Sequence, residues 1–333
     1  ISQYEYDLKD ANGCIKDTTV LLAQPTQLVP SVAVTAPLCN AGTNGSLQLS
    51  ATGGTPAYTY AIGIGSFGAA SLFNNLAAGV FTVHIKDANG CVSAAQSIVI
   101  NQPPTLAFST NATNVSCFSG TNGSITFTAS GGTGAYQYSI TNGRSFQASN
   151  SFTGLAAGAY PVLTKDANGC LAEGPTVIIS QPSALVLTIE QANVNCNGAA
   201  TGTIVAGASG GTPAYQYSKD NGATYQSSNQ FNSLTAGTYS IRIKDANNCL
   251  SGTQTVTITQ PAALSLSAAQ TNVTTCFGGN NGSLTLTATG GTGAYQYSKD
   301  NGASFQSTNT FTGLAAGSYQ VLVKDANNCV STA

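Results

Sequence analysis

The sequence predicts an all-β chain, a tandem array of antiparallel β-sandwich repeats of about 79 residues. Three observations predict it. The hexapeptide KDANGC or KDANNC occurs five times, ending at Cys14, Cys91, Cys170, Cys249 and Cys329, in steps of 77, 79, 79 and 80 residues. Apolar and polar residues alternate with period 2, and no window sustains the period of a helix. Turn signals built from Gly, Asn, Asp and Pro separate these stretches at short, regular intervals.

Other motifs keep the same register. Gln-Pro recurs at Gln24, Gln102, Gln181 and Gln260, Gly-Gly-Thr at Gly53, Gly131, Gly210 and Gly290, and Leu-(Ala/Thr)-Ala-Gly at Leu76, Leu155, Leu234 and Leu314. Division at Gln-Pro gives a partial repeat 1–24 holding the last two strands, repeats 25–102, 103–181 and 182–260, and a repeat 261–333 that lacks its last strand. The array is open at both ends, which reads as a segment of a longer run. Methionine is absent, so Ile1 reads as a processed end or a cut.

Repeat 182–260 shows each element. Leu185–Ile189 is β-branched and apolar, a first strand, and Thr203–Ala206 a second. Gly210–Pro213 turns the chain into Tyr215-Gln216-Tyr217, whose alternation puts both tyrosines on one face. Asp220-Asn221-Gly222 is a hairpin turn, because Asn and Gly accept positive φ. Phe231 and Leu234 mark the next strand. Tyr239, Ile241 and Ile243 then alternate with Ser240, Arg242 and Lys244, an apolar inner face against a polar outer one. Asp245–Asn248 turns into a last strand at Val256 and Ile258. Strands of about nine residues at ~3.3 Å each give roughly 30 Å per repeat, so four repeats predict an elongated rod of roughly 120 Å.

Leu234-Thr-Ala-Gly-Thr-Tyr239 is similar to the corner that precedes the sixth strand of immunoglobulin-like and fibronectin-like domains. There a Tyr hydroxyl bonds back to the main chain. The resemblance implies this structural role for Tyr160, Tyr239 and Tyr319. Phe81, at the same place, lacks the hydroxyl. The set Cys276-Phe-Gly-Gly-Asn-Asn-Gly-Ser283, Gly290-Gly-Thr, Tyr295-Gln-Tyr297, Leu314-Ala-Ala-Gly-Ser-Tyr319 and Lys324-Asp-Ala-Asn-Asn-Cys329 resembles the SprB repeat, and the likeness extends over all four cysteine-containing repeats. It implies a secreted or cell-surface adhesin of the kind found in gliding and related Bacteroidetes, exported by a type IX route. Repeat 25–102 departs most, with Cys39-Asn-Ala-Gly, and with Ala61 to Gly68 in place of the Ser-Lys-Asp-Asn-Gly hairpin.

The nine cysteines occupy an early and a late place in each repeat, which in a secreted chain reads as a disulfide framework. Two pairings keep the register. Within repeats the pairs are Cys39–Cys91, Cys117–Cys170, Cys196–Cys249 and Cys276–Cys329, with Cys14 unpaired by truncation. Between repeats they are Cys14–Cys39, Cys91–Cys117, Cys170–Cys196 and Cys249–Cys276. Four strands between the two places put them at one pole, and five put them at opposite poles, beyond the ~7 Å Cα reach of a disulfide. Ala223–Leu234 is short enough to cross once, which favours pairing within repeats. Each such loop would contribute roughly 4 kcal/mol on the chain-entropy argument.

Charged residues are only 7% of the chain against the roughly 25% usual for soluble domains, and the net charge is −2. There is therefore no clustered basic face for nucleic acid or an anionic membrane. No run reaches the ~18 apolar residues of a spanning helix. Regularly placed Tyr and Phe, 14 and 12 in number, argue against disorder.

No cofactor site is expected. Zinc wants closely spaced Cys/His pairs, and His84 is the only histidine. Asp87, Asp166, Asp245 and Asp325 open loops that look superficially like calcium loops. With three glutamates in all and none at a closing offset, they read as tight turns. His84 lies opposite Val83 and Ile85, facing solvent, with no partner for a triad. Lys86, Lys165, Lys244 and Lys324 admit a Lys–Asn crosslink, but the disulfides already supply a covalent staple. Rows such as Thr255, Thr257 and Thr259, or Thr285, Thr287 and Thr289, are ordinary for solvent faces of strands. The expectation is a structural or adhesive extracellular protein and not an enzyme. Its partners would be other copies, neighbouring repeats or surface polysaccharide. The alternative is a modular glycan binder using Phe67, Phe146, Tyr225 and Phe305.

Overall fold

The computed structural model describes residues 2–331, and these form 27 β-strands and no helix. The first two strands, β1 (Ser2–Lys9) and β2 (Ile15–Leu22), make an antiparallel hairpin whose residues are all exposed.

Repeat 25–102 contributes β3 (Val29–Thr35), β4 (Gly45–Thr52), β5 (Thr59–Ile62), β6 (Leu72–Leu76), β7 (Gly79–Lys86) and β8 (Gln96–Ile100). They build two three-stranded antiparallel sheets, ordered β3-β4-β6 and β5-β7-β8. Repeat 103–181 has the same plan with two strands divided: β9 (Ala107–Thr113), β10 (Gly123–Ser130), β11 (Gln137–Ser139), β12 (Ser151–Leu155), β13 (Gly158–Tyr160), β14 (Leu163–Lys165), β15 (Leu171–Glu173) and β16 (Val177–Ile179). The break between β13 and β14 falls at Pro161, which has no N–H to give a ladder. Repeat 182–260 has β17 (Val186–Ala192), β18 (Gly202–Ser209), β19 (Gln216–Ser218), β20 (Gln230–Leu234), β21 (Gly237–Lys244) and β22 (Gln254–Ile258). Repeat 261–333 has β23 (Ser265–Thr271), β24 (Gly282–Thr289), β25 (Gln296–Ser298), β26 (Thr310–Leu314) and β27 (Leu322–Lys324). Three-plus-three strands, with the fifth pairing the third within one sheet and the fourth pairing the second in the other, is the arrangement of immunoglobulin-like domains.

The alternation puts the core between the sheets. In repeat 182–260, Leu187, Ile204, Ala206, Phe231 and Leu234 of one sheet pack on Tyr217, Ile241, Ile243, Val256 and Ile258 of the other, all buried. At the end of β18, Gly210 and Gly211 both have positive φ. A Cβ on Gly210 would stand 2.0 Å from the Ala184 carbonyl oxygen, so only glycine closes this turn.

One feature departs from the sequence reading. After β19 the chain does not cross once to Leu234. It first returns antiparallel to β19, where Tyr217 and Gln226 exchange both main-chain hydrogen bonds at 2.8 and 2.9 Å, and only then climbs as β20. Tyr60–Gly68, Tyr138–Gln147 and Tyr297–Gln306 do the same. Five crossings therefore separate the early cysteine from the late one, and each repeat carries them at opposite poles. The chain packs as two compact units, Ile1–Thr113 with Gly123–Ile179, and Asn114–Asn122 with Ser180–Ala333.

Candidate functional site: the joint between repeats

The late turn of each repeat is organised by its aspartate. Asp245 Oδ1 accepts from the Asn247 and Cys249 amides, both at 2.9 Å, and Oδ2 accepts from Thr212 N at 2.9 Å, which ties this turn to Gly-Gly-Thr. Asp87, Asp166 and Asp325 repeat the pattern. The Asp87 carboxyl is held below the usual carboxylate range, chiefly by the Thr55 amide. These oxygens are occupied by N–H donors, as a turn requires. Among the described residues no cluster of His, Cys, Asp and Glu could hold a metal.

The other pole carries the early cysteine loop and the Gln-Pro pair. Gln102 Oε1 accepts from Ala41 N at 2.8 Å, and Asn40 Nδ2 donates to Pro103 O at 3.0 Å. Gln181 does the same for Ser119 N, and Gln260 for Gly198 N, each at 2.8 Å. The glutamine thus folds the start of the next repeat onto the loop of the one before it.

The late turn of that next repeat closes the joint. Cys39 is bonded to Cys170, Cys117 to Cys249 and Cys196 to Cys329, with Cα separations of 5.7, 5.6 and 5.7 Å. Beside each bridge the turn asparagine donates to the carbonyl preceding the early cysteine: Asn168 to Leu38 at 2.9 Å, Asn247 to Ser116 at 3.0 Å, Asn327 to Asn195 at 3.0 Å. The same amides donate to Thr133, Thr212 and Thr292 Oγ1.

This corrects the expected pairing. Neither Cys39–Cys91, Cys117–Cys170, Cys196–Cys249 and Cys276–Cys329 nor the adjacent alternative forms. Every bridge runs from an early cysteine to the late cysteine one repeat further on. The physical reason is the fifth crossing, which carries the two cysteines of a repeat to opposite ends of its sandwich. Cys91 and Cys276, expected in bridges, are free and exposed, as is Cys14.

The tyrosine corners lie on the core side of this frame. Tyr160, Tyr239 and Tyr319 Oη donate to the Ala156, Thr235 and Ala315 carbonyls at 2.9, 2.9 and 3.0 Å. A second set escaped the sequence reading: Tyr58, Tyr136, Tyr215 and Tyr295 Oη donate to the glycine carbonyl five residues back, at 2.6–2.7 Å. The recurring Gly-Gly-Thr-x-Ala-Tyr spacing was its signal. Phe67, Phe146, Tyr225 and Phe305 are half-buried, and Lys86, Lys165, Lys244 and Lys324 Nζ stand over their rings at 4.8, 4.4, 4.6 and 4.6 Å. One face of each ring is thereby covered. His84 is half-buried and pairs with Ala61 across the sheet.

No curated protein matches the chain. Among solved structures it is similar to the three N-terminal domains of the bacteriophage RB49 outer capsid protein Hoc, at 13% identity and TM-score 0.35 over 70% of this chain and 95% of that one. It is also similar to extracellular domains 3–5 of Drosophila OTK, at 13% identity and TM-score 0.22 over 72% and 99%. The eight N-terminal Ig domains of Down syndrome cell adhesion molecule show 14% identity and TM-score 0.21 over 92% and 49%. Scores of this size carry no functional weight. The SprB repeat family model matches residues 31–66, 109–145, 188–224 and 267–304, so the chain carries four tandem SprB repeat matches, one in each of the repeats 25–102, 103–181, 182–260 and 261–333.

Proposed function

We propose that the chain is a force-bearing segment of an extracellular adhesin, working as a series of covalently latched sandwiches. The supporting observation is where the disulfides lie. A bridge closed within a repeat would stabilise that repeat alone, whereas Cys39–Cys170, Cys117–Cys249 and Cys196–Cys329 join one repeat to the next. Such bridges persist in an oxidising compartment, which favours a location outside the cell. Solvent faces rich in hydroxyls, such as Thr255, Thr257 and Thr259, and few charges suit contact with polysaccharide or with other copies.

The bridges interlace, so the shortest covalent route from Cys39 to Cys329 runs through two of them and along only the 26 residues from Cys170 to Cys196. Pulled by its ends, the oxidised and unfolded chain yields about 90 Å over this span, and the reduced chain about 1,000 Å. Bridges within repeats would yield about 270 Å. Single-molecule extension with and without reductant distinguishes the three, and an oxidised release near the reduced value would refute the reading.

A further inference from the structure

We propose that each repeat carries one anion-binding site, built on the lysine that precedes its late turn, and that the ligand is an acidic polysaccharide. This partner would serve the adhesin proposed above, but no residue of the disulfide joint carries it. Binding is read separately from extension, so the failure of either reading leaves the other standing.

Lys86, Lys165, Lys244 and Lys324 hold one place, the end of β7, β14, β21 and β27. Period-2 alternation turns them to the solvent side of the sheet, opposite to the buried Ile85, Thr164, Ile243 and Val323. Each ammonium stands over a ring, Phe67, Phe146, Tyr225 and Phe305, at 4.8, 4.4, 4.6 and 4.6 Å. Directly across the sheet from each lysine, and so on the same face, is an aliphatic residue: Val92, Leu171, Leu250 and Val330. These are 52, 57, 47 and 50% exposed. Every repeat thus joins a held cation to a small open apolar surface.

A ring attracts an ammonium but leaves its unit charge uncancelled. The carboxylates that could cancel it are engaged elsewhere. Residues 25–333 hold eight of them. Asp87, Asp166, Asp245 and Asp325 are buried in their turns and accept main-chain amides. Asp220 and Asp300 accept hydroxyl and amide donors of their own hairpins. Glu190 lies on β17, in the other sheet. That leaves Glu173, which stands two residues from Leu171 on β15 and so on the lysine's face.

The ligand's chemistry follows. An ammonium is a point charge suited to a carboxylate or a sulfate. Held over a ring, it has given up part of its freedom beforehand, so less is lost when the anion arrives. The Val or Leu beside it receives the C–H face of a sugar ring. The aromatic rings position the ammonium rather than present a bare face to the sugar. One such lysine per repeat is too sparse for the charge density of nucleic acid. It suits a polymer with acid groups spaced along sugar rings, which gains by meeting several sites at once. Repeat 182–260 adds Arg242, two residues before Lys244 on the same face of β21, whereas repeat 103–181 adds Glu173. The Lys244 site is therefore stronger than the Lys165 site.

The test is biolayer interferometry of the oxidised chain on immobilised polygalacturonate, dextran sulfate, neutral dextran and double-stranded DNA. Expected is binding to an acidic polysaccharide that weakens as salt rises, with none to dextran and less to DNA. The tighter of the two acidic polymers names the acid group. Gln at all four of Lys86, Lys165, Lys244 and Lys324 should weaken binding about 10-fold. Arg at the same positions should keep it, because Arg stays charged and also sits over rings. Lys244→Gln should cost more than Lys165→Gln. Glu173→Gln, on an exposed position of β15, should tighten binding about 2-fold, a gain that misfolding cannot imitate. Equal binding to dextran, DNA bound as tightly as the acidic polymers, or no binding to either of them would overturn the proposal. So would full-strength binding by the four-Gln chain, or a Glu173→Gln chain that binds no better.

Discussion

The Asn168 side-chain amide donates to the Leu38 carbonyl at 2.9 Å, although 130 residues separate them. The contact sits against the Cys39–Cys170 bridge and braces it. A neutral hydrogen bond contributes about 1 kcal/mol net, so Asn168→Ala should expose the bridge to dithiothreitol with roughly 5-fold faster reduction. Asn89→Ala, whose turn carries the unbridged Cys91, should leave that rate unchanged. Mass spectrometry of timed alkylation reads both.

The pattern of bridges makes a direct chemical prediction. Alkylation of the monomeric, oxidised chain should label Cys14, Cys91 and Cys276 and no other cysteine. Digestion without reduction should then yield three linked peptide pairs, each joining neighbouring repeats.

Thr164 occupies the place that Ile85, Ile243 and Val323 fill in the other repeats, and its buried hydroxyl has no hydrogen-bond partner. A buried unsatisfied hydroxyl costs about 1–3 kcal/mol. Thr164→Val keeps the shape and removes the group, so it should stabilise repeat 103–181 by about 1–2 kcal/mol. Hydrogen exchange of the β11 and β14 amides in urea would measure it.

At the corner before the fifth strand of the sandwich, Tyr239→Phe removes the 2.9 Å bond to Thr235 O and should cost about 1 kcal/mol. Phe81→Tyr is the reciprocal change and should add a similar amount. Slower exchange of the amides around Leu76–Phe81 is the expected readout.

Asp300 accepts from Ser298 Oγ at 2.7 Å and from the Ser304 hydroxyl and amide, and these bonds, Ser298 foremost, hold its carboxyl at about 2. The folded value lies below the unfolded value of roughly 3.9. The ionised form therefore supports the hairpin fully above about pH 4, and the support fades as pH falls through about 2. Carbon-detected NMR titration should place Asp300 there, with Asp220, held by Ser218 and Thr224, lower still. Ser298→Ala should move Asp300 upward.

The sandwich was legible in the sequence because its signals are local. Tyr239, Ile241 and Ile243 alternate with polar residues whatever lies elsewhere, and Asp220-Asn-Gly turns the chain by its own φ preferences. The joint was half legible. Gln102, Gln181 and Gln260, and the turn asparagines Asn168, Asn247 and Asn327, recur in register, and that recurrence was the signal for a role. Their partners lie about 60 and 130 residues away, and no local preference names them.

By itself the sequence determined the principal strands, the repeat length and the register in which the cysteines, glutamines and asparagines recur. Which cysteine meets which was decided only by the tertiary structure. Twelve residues from Ala223 to Leu234 can cross a sandwich once or twice, and the hydrogen bonds between Tyr217 and Gln226 choose twice. That choice reverses the pole of every late cysteine, because a disulfide is set by proximity in space, which depends on the number of crossings and not on the spacing of residues along the chain.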